Sequence, residues 1–278
     1  MSYSNCVYLH CYCSSFIHYF NIISTPTYTM GVFQLPCKLC DELDVMCSKF
    51  WWGQVGDERK IHWQRWEKLT RSKKDRGMGF KDLRAFNLAM LAKQGWKLLH
   101  DDSSLVYQWL KARYFPKTHF FDAKESSNCS FAWRSIVAAL HILKVGCCWR
   151  VRNGLSIRVS GDKWIPNYPT SAPLFPLREE VREVVVAELI DPELHAWRSE
   201  FILDMFKQAD VEAICRIHLS RWDVDDILIW MHHKKGLFTV KSAYKGGFAW
   251  WKFSWKFKGL YGERSVGCTM ETSDSKQD

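Results

Sequence analysis

The chain has 278 residues, 47% hydrophobic and 25% charged, enough for one large domain or two smaller ones with cores of their own. Its eleven cysteines form an odd set without regular spacing, which argues against a disulfide framework and suits reduced thiols of an intracellular protein. The formal net charge of +9 is unevenly spread, and its concentration in one segment carries most of the functional signal.

Residues 1–24, MSYSNCVYLHCYCSSFIHYFNIIS, contain no Lys or Arg and interrupt their apolar residues with Ser, Cys, His and Asn. A secretory signal has a basic start and a membrane span needs roughly 20 nearly continuous apolar residues, so this atypical leader reads as neither. Across 26–50, Val32, Leu35, Leu39, Leu43 and Met46 recur three or four apart with Pro36 between them, which predicts two short helices joined by a kink. Gly77 and Gly79 mark a turn. Asp82 then caps a helix whose Leu88, Leu91, Ala92, Gly95, Trp96 and Leu99 share one face, leaving Lys93 and Lys97 outside that stripe. Ser130 caps a second helix running through Leu143, with Gly146 placed to end it in a left-handed conformation.

A hairpin is expected next. A three-residue loop of Arg152, Asn153 and Gly154 sets Val151 opposite Leu155 and Trp149 opposite Ile157, whereas a two-residue Asn-Gly loop would mix the two faces. Pro166, Pro169, Pro173 and Pro176 make 166–176 an extended linker and the best internal boundary. Beyond it, 181–190 and 197–206 have helical periodicity, and Asp210 can cap a short helix ending near Ile217. Residues 227–231 and 238–240 suggest a second hairpin across Lys234, Lys235 and Gly236, and the polar end, 271–278, is expected to be disordered. The fifteen tryptophans read mostly as core anchors whose indole N–H finds a buried acceptor, with a few left for stacking.

Between Arg59 and Arg84 ten Lys or Arg face three acids, Glu67, Asp75 and Asp82, so this stretch alone carries 10 − 3 = +7. Trp63 and Trp66 are interleaved with Arg65, Lys68, Arg71, Lys73, Lys74 and Arg76. Cationic groups that displace condensed counterions beside indole faces that can stack on bases are what a nucleic-acid groove needs. A solvated basic face above a tryptophan-rich core explains the same residues. Asp223, Asp225 and Asp226 superficially resemble paired carboxylates that hold magnesium, yet acids at the entrance to a strand are usually a solvated turn. Cys37 and Cys40 form a C-x-x-C preceded by a loose His10, Cys11, Cys13 and His18 cluster, too irregular for structural zinc; three apart on a helix, the two cysteines suit a core face. His232, His233, Lys234 and Lys235 read as a basic hairpin tip, in water or against phosphate. With no P-loop, G-x-S-x-G, H-E-x-x-H or dinucleotide fingerprint, no catalytic residue, metal, cofactor, small-molecule substrate or membrane partner is assigned.

In order and spacing, PTYTMGVFQLP (26–36), FWWG (50–53), IHWQRWEKL (61–69), GMGFKDLRAFNLAMLAKQGWKLL (77–99), LKARYFP (110–116), FAWRSI (131–136), WRVRNGLSIRVSGDKWIP (149–166) and GLFTVKSAY (236–244) are informative together. Over roughly residues 25–248 the chain resembles the region downstream of the reverse transcriptase domain in LINE-type (non-LTR) retrotransposon polyproteins, a group abundant in plants. The resemblance implies an element-derived protein whose parent binds RNA and DNA during target-primed reverse transcription, and it points to the nucleus. Two departures bear on activity. The polymerase palm should lie upstream of PTYTM, where only 25 residues stand; the zinc-binding segment and ribonuclease H domain that follow GLFTVKSAY in the family are replaced by a divergent tail.

The sequence therefore predicts a mainly α protein with two small β-hairpins and disordered termini. Its divisions are a leader (1–24), a helical post-palm region with the basic segment and first hairpin (25–165), the linker (166–176), helices and the second hairpin (177–248) and the tail (249–278). Its expected role is nonspecific RNA or DNA binding by a non-catalytic remnant. A translated pseudogene fragment with no molecular function and a domesticated interaction scaffold are the competing classes.

Overall fold

Asp82 accepts the Ala85 N–H at 3.0 Å, Ser104 the Tyr107 N–H at 3.3 Å and Ser130 the Trp133 N–H at 3.3 Å, so three helices begin on side-chain caps. The computed structural model describes residues 27–54, 58, 60–174, 184–220 and 222–246. In chain order these hold α1 (Cys37–Trp51), α2 (Trp66–Leu69), α3 (Leu83–His100), α4 (Leu105–Tyr114), α5 (Phe131–Gly146), β1 (Cys147–Arg150), β2 (Ile190–Asp191), β3 (Ala196–Trp197), α6 (Ser199–Met205), α7 (Gln208–Cys215) and β4 (Ile227–Trp230). Residues 240–246 are also helical. The chain is mainly α with two small antiparallel sheets, as its sequence predicts. The leader, its His and Cys residues, Arg59 and the tail lie outside the described residues.

The first core is built on α3 and α5. Leu91, Ala92 and Gly95 of the predicted stripe are buried while Lys93 and Lys97 stay exposed. A Cβ on Gly95 would stand 2.8 Å from Leu143 Cδ1, so glycine there lets the two helices approach closely. The loop before α1 fixes the same pair at its other end. Asn87, buried on α3, donates to the Met30 and Phe33 carbonyls and accepts the Leu35 N–H, while Gln34 N–H donates to Ser135 Oγ on α5. The helices thus run in the same direction, and α4 returns antiparallel to bring Tyr114 beside Ser130. Trp133 is fully buried among Tyr114, Phe115 and Phe120. Removing an indole of 150–250 Å² from water contributes about 4–6 kcal/mol.

The two sheets form from other partners than the local sequence suggests. β1 pairs antiparallel with β4, Cys147 opposite Trp230 and Trp149 opposite Leu228, instead of turning back through Asn153 and Gly154 onto residues 155–157. Gly154 does take a positive φ of 73°. The amides of that turn, however, are captured by Asp226, which accepts from Arg152 N at 2.8 Å, Gly154 N at 3.0 Å and Ser156 N at 3.1 Å. The second expected hairpin is also replaced. Trp230 N–H donates to the Gly236 carbonyl at 2.8 Å, closing a tight turn, but Thr239 then starts the helix of 240–246 instead of a strand. Thr239 and Ser242 exchange side-chain-to-backbone bonds as a reciprocal cap, and Ser242 Oγ also accepts from Trp230 Nε1 at 3.0 Å. The short β2–β3 ladder pairs Ile190 with Trp197 and Asp191 with Ala196.

Gly146 has a different use from the left-handed stop its position suggests. It is the last residue of α5, and a Cβ on it would come within 2.2 Å of the Trp230 ring, so its bare backbone is what lets β4 pack there.

A second core lies between β1 and β4 in sequence. Val151, Ile157, Val159, Trp164 and Ile165 pack with Val186, Leu189, Ile202, Phe206 and Ile214, and Trp149 touches both cores. Apolar residues from either side of the Pro-rich stretch therefore meet in one cluster. Part of that stretch is anchored: Asp210, fully buried, accepts from Tyr168 Oη at 2.5 Å and from Leu174 N at 3.1 Å. The bond to Asp210 pushes the Tyr168 phenol up to about 12. Asp210 thus sits in the first turn of α7 with Lys207 as the N-cap, not as the cap itself. Of 181–190, residues 181–183 are outside the described residues, and the rest forms a short 3₁₀ turn, Val186–Leu189, leading into β2 instead of a regular helix.

Candidate nucleic-acid interface

Residues 60–81 fold against the C-terminal half of α1. Trp66 donates its indole N–H to Asp44 Oδ1 at 3.1 Å and stacks on Phe80 with centroids 5.1 Å apart; Phe80 in turn meets Trp51 edge-on at 4.8 Å. His62 stacks on Trp52 at 6.0 Å, and Leu69 is buried. Burial pushes the Asp44 carboxyl up to about 6, with Trp66 opposing that shift. Pro36 is the N-cap of α1, as the predicted break requires, and residues 27–30 form a helical turn before it. The apolar face is displaced from the expected one, because Cys40, Cys47, Ser48 and half-buried Asp44 point inward while Leu39 and Met46 are exposed. Cys37 is exposed and the burial of Cys40 pushes its thiol up to about 11, so only the second cysteine of the pair faces the core.

From this base a loop closes on itself. The Leu69 carbonyl accepts from Met78, Gly79 and Phe80 N–H at 3.0, 3.1 and 3.3 Å, and the Ser72 carbonyl accepts from Gly77 N–H at 3.0 Å. Ser72 Oγ caps the single turn of Lys73–Asp75, after which Arg76 takes a φ of 58° and Gly79 a φ of 78°. A Cβ on Gly77 would fall 2.1 Å from the Arg71 carbonyl oxygen, so the crossing of the loop depends on that glycine. With its backbone bonds turned inward, the loop projects Arg71, Lys73, Lys74 and Arg76 outward, and Arg65 and Lys68 stand exposed beside them. Among the described residues no acid forms an ion pair with any of these six.

The two tryptophans part company. Trp63 is 75% exposed and its rings are free to stack, whereas Trp66 is half-buried, with its N–H committed to Asp44 and a face covered by Phe80. Sequence spacing could not separate them, because only the tertiary contact with α1 does. The other candidates are placed as follows. Asp226 holds the loop at 152–156, Asp225 Oδ1 is 3.5 Å from Asn153 Nδ2, and Asp223 is exposed. Lys234 and Lys235 are exposed on the turn closed by Gly236, and His232 packs edge-on against Trp230 at 5.1 Å, where burial lowers its pKa. Among the described residues no three His, Cys, Asp or Glu side chains are grouped to hold a metal ion, and no helix is long and apolar enough to cross a membrane.

The chain is 36% identical over 153 residues to the uncharacterized mitochondrial protein AtMg00310 of Arabidopsis thaliana, an alignment that takes in 55% of this chain and 99% of that protein. The chain belongs to the family of that plant protein. It is also 28% identical over 239 residues to At1g65750 of the same plant, which carries a provisional ribonuclease H name; 80% of this chain aligns there. The chain spans only 36% of that longer protein's length. No protein-family model and no solved structure matches the chain.

Proposed function

We propose that this protein is a non-catalytic remnant of a LINE-type, non-LTR retrotransposon polyprotein, from the region downstream of the reverse transcriptase domain, and that it binds RNA or DNA without sequence preference. The relation to a longer plant protein with a ribonuclease H name supports the polyprotein origin. The binding reading rests on one observation: six exposed cations on and beside a backbone-bonded loop, with no acid paired to them among the described residues and Trp63 exposed next to them. Such a loop presents charge to a phosphate backbone without first having to order itself, and contacts to phosphates position a strand without reading its sequence. Arg65, Lys68, Arg71, Lys73, Lys74 and Arg76 are the proposed phosphate contacts, and Trp63 the stacking surface. Trp66 serves to seat the segment on α1. A shift assay across salt concentrations tests this, because affinity that ignores salt is incompatible with phosphate neutralisation.

A second reading, a polypeptide relic whose partner surfaces are unoccupied, is favoured by the outward-facing Leu39, Val45 and Met46 of α1. Aggregation of the purified chain, relieved by Leu39→Gln and Met46→Gln, would support it over binding.

A further inference from the structure

The helix α4 carries a second basic and aromatic surface, separate from the loop at 69–80. Trp109 is 57% exposed, and Arg113, one turn later, lies over its ring at 5.8 Å and over the Tyr114 ring at 5.6 Å. Tyr114 is held firmly, stacked on buried Trp133 at 4.7 Å while its hydroxyl accepts the Ser130 N–H at 3.1 Å. The guanidinium therefore lies over two rings that meet each other edge-on at 6.1 Å, one of them fixed to the core. Lys111 repeats the pairing over Tyr107 at 5.6 Å. From 103 to 121 the sequence has three cations, Lys111, Arg113 and Lys117, and no acid. Because α3 and α5 run in the same direction and α4 ends at the start of α5, Arg113 lies at the end of the bundle where the basic loop enters α3.

We infer that Trp109 and Arg113 form a base-stacking site for single-stranded RNA or DNA, a second contact for a strand that also meets the basic loop. This rests on the nucleic-acid reading above. An indole with more than half its surface in water can take the face of an unpaired base, and a duplex offers no such face away from its ends. The adjoining guanidinium, already oriented by two aromatic rings, neutralises the neighbouring phosphate. Leu105 and Val106 are exposed on the same helix and could meet a protein instead, but cations without any acid across 103–121 complement a phosphate backbone better.

The test is anisotropy titration of the full chain with labelled oligo-dT, oligo-U and a duplex of equal length, for wild type, Trp109→Ala, Trp109→Phe, Arg113→Gln and the Lys73→Gln/Lys74→Gln double variant. Trp109→Ala is expected to weaken single-strand binding by about 5- to 100-fold, leaving duplex affinity and the salt slope unchanged, with Trp109→Phe keeping most of the affinity. Arg113→Gln should flatten the log-log salt slope by about one unit on single and double strands. The dT and U arms show whether DNA, RNA or both are taken. Wild-type affinity of Trp109→Ala for both single strands overturns the inference, as does an equal loss on the duplex or Trp109-dependent self-association in sedimentation. If the Lys73/Lys74 variant weakens and Trp109→Ala does not, the inference alone fails; the converse removes the loop and leaves α4. No binding by the wild type overturns both.

Discussion

Replacing Asp226 by Ala should open the junction where the second core is inserted between β1 and β4. Its carboxylate accepts three backbone N–H groups at 2.8, 3.0 and 3.1 Å from the loop that follows β1, while Asp226 itself immediately precedes β4. Hydrogen bonds to a charged acceptor contribute about 1.5–3 kcal/mol each, and water can replace the acceptor only where the donor is reachable. Arg152 N and Gly154 N are part-buried and Ser156 N is exposed, so the first two carry most of the loss. The sum comes to about 2–4 kcal/mol for Asp226→Ala and about half that for Asp226→Asn, which keeps one acceptor oxygen. Urea unfolding followed by tryptophan fluorescence measures the change, and limited proteolysis should find new cleavage within 152–156. An Asp226→Ala midpoint equivalent to less than about 0.5 kcal/mol would refute the reasoning, since that is the range of an ordinary surface change. Stabilisation of the wild type by magnesium, lost in Asp226→Asn, would instead restore the metal-holding role.

Two further substitutions probe the helices. Asp44→Asn keeps an oxygen for the Trp66 N–H but removes a charge that burial disfavours. With the folded carboxyl pushed up to about 6 from 3.8, the favourable contribution is fully present below about pH 4 and is lost as pH rises through 6. The whole shift corresponds to about 3 kcal/mol, which solvent screening of a half-exposed group reduces to about 1 kcal/mol. Melts should therefore show Asp44→Asn more stable than wild type at pH 7 and equal to it near pH 4; a variant less stable at both would contradict the burial account. Gly146→Ala should cost about 3 kcal/mol or more, because the added Cβ meets the Trp230 ring at 2.2 Å; an unchanged melting temperature would mean that the ring is not seated there.

What could be read from the sequence follows the range of the interactions involved. The caps at Asp82 and Ser130 and the stripe of α3 depend on residues within a few turns, and they form as expected. The paired residues of β1 and β4 are 77 to 83 residues apart, from Arg150 opposite Ile227 (227 − 150) to Cys147 opposite Trp230 (230 − 147), so no local pattern announces them; the Asn-Gly turn is real but its amides serve Asp226. On α1 the helical period was legible and the orientation was not, since Asp44 and Ser48 turn inward to meet Trp66 and His62. The cluster of cations was legible as charge alone. That the loop at 69–80 closes through the Leu69 carbonyl, and that Trp66 is occupied while Trp63 is not, depends on contacts that composition does not encode.

The central claim, that the loop at 69–80 meets a phosphate backbone, is tested most directly by the salt dependence of duplex DNA binding for wild type and the Lys73→Gln/Lys74→Gln double variant. Each phosphate neutralised contributes about −0.9 to the log-log slope, so the two lost charges should flatten it by up to about two units and lower affinity on every sequence alike. Equal affinities at low salt, with both proteins folded, would contradict the account and leave the six cations as a solvated face.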